Sequence, residues 1–122
     1  MRLFIPTIGT HLKLLKDWNF LLIPEYRNSV IWKAFGYATS NSTIYDFCHE
    51  NPRDSILPAD TILSVDRIYI RKGIGDYDSL TFRILDCPDP RFRSPKKKGT
   101  LSGVARFWVK LHDANVMDIE VI

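Results

Sequence analysis

Thr61-Ile62-Leu63-Ser64-Val65-Asp66-Arg67-Ile68-Tyr69-Ile70-Arg71 is the stretch whose pattern decides the fold. Its Ile, Val and Tyr residues fit a pleated, half-buried surface, so it is expected to be the best-formed strand of the chain. Leu63 and Val65 set one apolar phase, whereas Ile68 and Ile70 set the other. Successive side chains of a strand point to opposite faces, so a one-residue change of phase requires a β-bulge, expected near Asp66-Arg67. Beyond it, burying Ile68 and Ile70 places Arg67, Tyr69 and Arg71 on the outer face.

Downstream, Gly73-Ile74-Gly75-Asp76-Tyr77-Asp78 supplies turn chemistry, and alternation resumes at Leu80, Phe82 and Ile84. The two segments read as a hairpin, with Arg83 on the same side as Tyr69. Arg106-Phe107-Trp108-Val109-Lys110 repeats the pattern: Phe107 and Val109 turn inward, and Arg106, Trp108 and Lys110 turn outward. The last strands are expected at Val104 to Leu111 and Val116 to Ile122, joined by a turn at His112-Asp113-Ala114-Asn115.

Upstream, Leu3 to Ile5 and His11 to Leu15, separated by Gly9-Thr10, suit a hairpin. Trp18, Phe20 and Leu22 alternate as a core strand before Pro24, and Val30 to Phe35, between Asn28-Ser29 and Gly36, reads as a short helix. Tyr37 to Pro58 is irregular and reads as a long connection with one weak strand at Ile44-Tyr45-Asp46-Phe47. Residues 87–103 hold three prolines and five cations, Arg91, Arg93, Lys96, Lys97 and Lys98, and read as a flexible basic loop. The expected architecture is a single all-β domain over residues 1–122, a small barrel or compact sandwich of about six or seven short strands with one short helix. Trp18, Phe20, Trp32, Phe35 and Phe82 are its expected core.

Composition sets further bounds. The chain has 122 residues, 45% hydrophobic and 25% charged, enough for one core without metal or disulfide staples. No apolar run approaches the roughly 20 residues of a membrane helix, and Pro6, Gly9 and His11 interrupt the apolar start before a signal peptide develops. A soluble, cytoplasmic protein is expected. The formal charge is +3, but the loop's five cations against Asp89 concentrate it in one segment. Cys48 and Cys87 are expected as partly buried thiols; their proximity cannot be read from spacing.

Catalytic chemistry has little support in these residues. Cys48-His49-Glu50 has the residue types of a nucleophile with a base, but neighbours along a strand face apart. Two cysteines and three scattered histidines give no zinc-site spacing, and Asp76, Asp78, Asp86 and Asp89 fit ordinary turn chemistry better than a magnesium site. Gly73-Ile74-Gly75 lacks the third glycine and following helix of a phosphate-binding loop. No enzyme activity, metal or cofactor is expected.

What remains is a basic-aromatic surface: Arg67, Tyr69, Arg71, Arg83, Arg106, Trp108 and Lys110, with the loop's Arg91, Arg93, Lys96, Lys97 and Lys98. Such residues can stack on bases and follow phosphates, or anchor a protein interface; they can also be ordinary solvated side chains on a sheet. The segments Leu57-Pro58-Ala59-Asp60-Thr61, Val65 to Gly73, Tyr77 to Arg83 and Arg106 to Leu111 together resemble small accessory proteins of phages and prophages. The resemblance implies a protein that binds and blocks a host factor, such as an anti-restriction or anti-CRISPR-like inhibitor of a defence complex. A basic surface departs from the acidic pattern of DNA mimics and favours docking onto an acidic protein surface or a nucleoprotein complex. Tyr69 and Trp108 are the expected anchors. The alternative is a nucleic-acid-binding small β-barrel, contacting DNA or RNA through the same face.

Overall fold

In the computed structural model, which describes residues 6–37, 50–70, 78–92 and 106–122, seven strands appear in chain order. They are β1 (His11–Leu14), β2 (Trp18–Leu22), β3 (Arg53–Leu57), β4 (Ile62–Tyr69), β5 (Ser79–Asp86), β6 (Arg106–Lys110) and β7 (Ile119–Val121). Helix α1 (Ser29–Ala34) follows a 3-10 turn at Tyr26–Asn28, a second 3-10 turn spans Pro90–Phe92, and a single helical turn, α2 (Leu111–Ala114), joins β6 to β7. Among the described residues no helix is long and apolar enough to cross a membrane.

Five strands form one antiparallel sheet in the order β6-β5-β4-β1-β7, while β2 and β3 form a separate antiparallel pair. The expected bulge is present: Val65 pairs with Phe82 and Arg67 with Thr81, leaving Asp66 as the extra residue. It turns Leu63, Val65 and Ile68 toward the same core despite their mixed spacing, where they oppose Ile84, Phe82 and Leu80. Trp18 and Phe20 of β2 cover that face: Trp18 lies edge-on to Phe82 at 5.9 Å, and Phe20 stacks on Phe107 at 5.6 Å. Trp32 and Ile31 of α1 are fully buried in the same core, and Phe35 packs against it from the margin. Gly36 ends α1 at φ +81, a conformation in which a side chain would be strained.

Several expectations are corrected. The described strands do not close into a barrel: β6 and β7 lie at opposite edges of the sheet. At the β6 edge, the outward backbone groups of Trp108 are taken by the buried side chain of Asn28. Its Oδ1 accepts from Trp108 N at 2.8 Å, and its Nδ2 donates to Trp108 O at 3.1 Å. A side chain thus stands where a closing strand would have to bond. Strand β1 pairs with β4 and β7, and residues 3–5 of the expected N-terminal hairpin lie outside the described residues.

Arg53–Leu57 is a strand inside what reads as a connection. Its flanking prolines mark the ends of the ladder, and only Ser55 and Leu57 are buried, so its apolar signal is short. The weak strand expected at 44–47 lies outside the described residues. Ile70 falls just past the end of β4 and is 51% exposed, although the alternation places it inside. The turn expected at His112–Asn115 is helical, held by Asn115 N donating to Leu111 O at 2.9 Å. Of the expected basic loop, residues 87–92 are ordered: Cys87 and Phe92 are buried, and Arg91 binds Asp89. The remainder, 93–103, lies outside the described residues.

Candidate functional site

On the outer face of the sheet, register sets the side chains in rows. Arg67 of β4, Thr81 of β5 and Trp108 of β6 form one row; Tyr69, Ser79 and Lys110 form the next. Arg83 and Arg106 pair in the row on the other side. The bulge adds Asp66 to this face immediately beside Arg67, which regular alternation forbids.

Asp66 becomes the hub of three guanidinium groups. Arg83 Nε donates to its Oδ1 at 2.9 Å, while Arg106 Nε and Arg67 Nε lie 3.6 and 3.9 Å from Oδ2. The first is a charge-assisted hydrogen bond; the other two are looser ion pairs that leave N–H donors open to solvent. Arg67 also donates to the Tyr69 hydroxyl at 3.3 Å. That bond is the largest cause that raises the pKa of Arg67, a group that is cationic in any case, and the Asp66 carboxylate acts in the same direction.

One rim of the face comes from a different part of the chain. Pro24 ends the run after β2, and Glu25 accepts from the backbone N of Arg27 at 3.0 Å to start the 3-10 turn. Asn28 then fixes this strap on β6, and it also ties the strap internally by donating to Ile23 O at 3.0 Å. Trp108 is only 5% exposed because the strap crosses it: its indole donates to Glu25 Oε2 at 2.6 Å, and the Arg27 guanidinium lies 5.8 Å from its ring. Arg27 reaches on to Tyr69, 6.0 Å from the ring centre, and is paired with Glu25 at 3.1 Å.

Strap and sheet together enclose a groove of about 390 Å³. Thr81, Phe107 and Trp108 form part of its lining, together with Arg67, Tyr69, Arg83 and Arg106; Tyr26, Arg27 and Val30 line the strap side. Tyr26 and Val30 are 60% and 58% exposed, so the groove has an apolar lip beside a cationic wall. The local balance is four guanidinium groups, Arg27, Arg67, Arg83 and Arg106, against the carboxylates of Glu25 and Asp66. A surplus of two positive charges is left for an incoming anion.

The sequence-derived set is therefore brought together only in part. Arg67, Tyr69, Arg83, Arg106 and Trp108 line one groove. Trp108 corrects the expectation of an exposed anchor: its position on the outer face is as expected, but the strap removes it from solvent. Lys110 shares the face, opposite Ser79, but lies beyond the groove-lining residues. Arg91 belongs elsewhere, bonded to Asp89 at 2.8 Å with its guanidinium 5.3 Å from the Phe92 ring. Arg71, Arg93, Lys96, Lys97 and Lys98 lie outside the described residues. Tyr26, Arg27 and Val30 have no counterpart in the sequence reading, since Glu25-Tyr26-Arg27 looks like any turn after a proline.

The other chemical candidates have their own positions. Cys87 is buried with Sγ 3.3 Å from Thr61 Oγ1, whereas Cys48 and His49 lie outside the described residues. Among the described residues no group of three or more His, Cys, Asp or Glu side chains is placed to hold a metal ion. In comparison with known proteins, no family model, no curated protein and no solved structure matches this chain.

Proposed function

We propose that the chain is a non-catalytic binding protein that docks onto a protein partner through the arginine groove on the outer face of its sheet. The observation that carries this reading is the convergence of Arg67, Arg83 and Arg106 on Asp66 beside the exposed Tyr26 and Val30. Arginine and tyrosine at a partly enclosed concavity are the residue types that concentrate binding energy in protein interfaces. The resemblance to phage and prophage accessory proteins directs the proposal toward a host defence complex in the bacterial cytoplasm. A nucleic-acid platform is the less favoured use of this face. Extended base stacking needs a row of open aromatic rings, and of the groove's rings Trp108 is covered by Arg27 and bonded to Glu25, while Tyr26 stands exposed on the lip.

The test is affinity capture from bacterial lysate, untreated and nuclease-treated in parallel, with the wild-type chain and the Arg67→Ala/Arg106→Ala variant as baits. The reading expects one protein retained by the wild type at moderate salt and lost by the variant. Retention by both baits refutes docking at the groove, and loss of the captured material on nuclease treatment refutes a protein partner.

A further inference from the structure

We infer that the groove takes an acidic segment with an apolar residue between two carboxylates, so that a bound partner contributes a Glu-apolar-Glu or Asp-apolar-Asp unit in extended form. This rests on the docking reading above and adds the chemistry of the partner.

The inference begins from Asp66. Its carboxylate shows which functional group the three guanidinium groups accept, because it is already bound by Arg83 at 2.9 Å and flanked by Arg106 and Arg67 at 3.6 and 3.9 Å. Arg67 and Arg106 keep N–H donors that Asp66 does not use, since a guanidinium carries five donors and each approaches Asp66 through Nε at ion-pair rather than hydrogen-bond distance; one Arg67 donor is on the Tyr69 hydroxyl. Their side chains are 59% and 46% exposed, so both can be reached. Two positive charges remain after Glu25 and Asp66 are counted, which matches two carboxylates.

The apolar part follows from the lip. Tyr26 and Val30 stand exposed on the strap side of the same groove, whose sheet side carries Arg67, Arg83 and Arg106. Alternate side chains of an extended segment point to opposite sides, so two acids separated by one residue would face the arginines while the middle side chain meets the lip. The volume of about 390 Å³ suits a few side chains.

The experiment is an NMR titration of the full chain with the capped pentapeptide Gly-Glu-Leu-Glu-Gly, reading the Trp108 indole N–H and the arginine Nε–H signals. Three other probes run in parallel: Gly-Gln-Leu-Gln-Gly, Gly-Glu-Gly-Glu-Gly and a single-stranded thymidine hexanucleotide. The expected result is saturable shifts at Arg67, Arg106 and Trp108 with the Glu-Leu-Glu peptide. Affinity should fall about tenfold or more with the glutamine peptide or with Arg67→Ala/Arg106→Ala, since charge-assisted hydrogen bonds are lost. It should fall about threefold or more with the glycine peptide, since the apolar contact is lost. Thermal melting of the double variant within a few degrees of wild type confirms that the comparison is between folded proteins.

Equal binding of the glutamine peptide, or shifts that map away from the groove, overturns the inference. So does tighter binding of the hexanucleotide at the same arginines, which assigns the groove to nucleic acid. If the peptides fail while lysate capture is still lost in the double variant, the docking reading stands and the acidic-apolar chemistry alone is refuted.

Discussion

Replacing Asn28 with alanine isolates the feature that fixes the strap to the sheet. The Asn28 side chain is fully buried and makes three hydrogen bonds with backbone groups: Nδ2 donates to Ile23 O and Trp108 O, and Oδ1 accepts from Trp108 N. Alanine leaves all three groups without that partner. A buried polar group left unsatisfied costs about 1–3 kcal/mol. The Ile23 contact is only part-buried, so water can replace it, and the two Trp108 groups carry most of the loss. The expected destabilisation is about 3 kcal/mol, a large share of the 5–15 kcal/mol of an ordinary domain. With a urea m value of about 2 kcal/mol/M, the unfolding midpoint falls by about 1.5 M. Asn19→Ala, at an exposed position of β2, should stay within about 0.5 kcal/mol of wild type. Hydrogen exchange adds a local readout, because the Trp108 amide should lose protection well before the neighbouring strand amides do. The reasoning is refuted if Asn28→Ala costs less than about 1 kcal/mol, or if the Trp108 amide keeps its wild-type protection.

Trp108→Ala should destabilise the protein by about 3 kcal/mol in urea unfolding, the low end for a buried tryptophan, whereas Trp108→Phe, which loses the bond to Glu25, should cost about 1–2 kcal/mol. An alanine variant as stable as wild type would show that the strap's cover over Trp108 adds nothing to the fold and would refute this reading. Asp66→Asn should cost about 1–2 kcal/mol, and more at low salt than at high salt, because Arg67, Arg83 and Arg106 are left to repel one another; a salt-independent loss would contradict this. Hydrogen bonding from the Arg91 side chain, then its backbone amide, holds Asp89 below the usual carboxylate range. A carboxylate depressed on folding stabilises at pH above its unfolded value, and the contribution is lost as pH falls through the folded one. Asp89→Asn should therefore be less stable than wild type near neutrality, with the difference closing in strong acid; a gap that persists there would show that the charge is not responsible.

What was legible in the sequence follows from how local each signal is. The bulge could be read because its cause lies within eleven residues, in the change of apolar phase across Asp66. Likewise β2 and α1 announce themselves by tryptophan and phenylalanine at strand or helix spacing, ended by Pro24 and Gly36. The burial of Trp108 could not be read, because it depends on Glu25 and Asn28, which lie 83 and 80 residues away in sequence. Strand β3 was hidden for a related reason: a short edge segment owes its conformation to pairing with β2, and little of that appears in Arg53-Asp54-Ser55-Ile56-Leu57 itself. The arginines of the groove were found from alternation on three strands, but Arg27, Tyr26 and Val30 come from the strap, where no periodicity points at the sheet.

The extra residue in β4 also has an entropic consequence. A free arginine side chain samples many rotamers and gives up about 2 kcal/mol of that freedom when a partner fixes it. Around Asp66, three arginines already have a common anchor in the unbound protein, at distances of 2.9 to 3.9 Å. Ordering of Arg83 is thus completed during folding, and Arg67 and Arg106 are held near it by looser pairing, so part of the cost of arranging donors for an incoming anion is met before it binds. The bulge, by placing one carboxylate among the cations, gathers three arginines at a spot where they would otherwise repel one another.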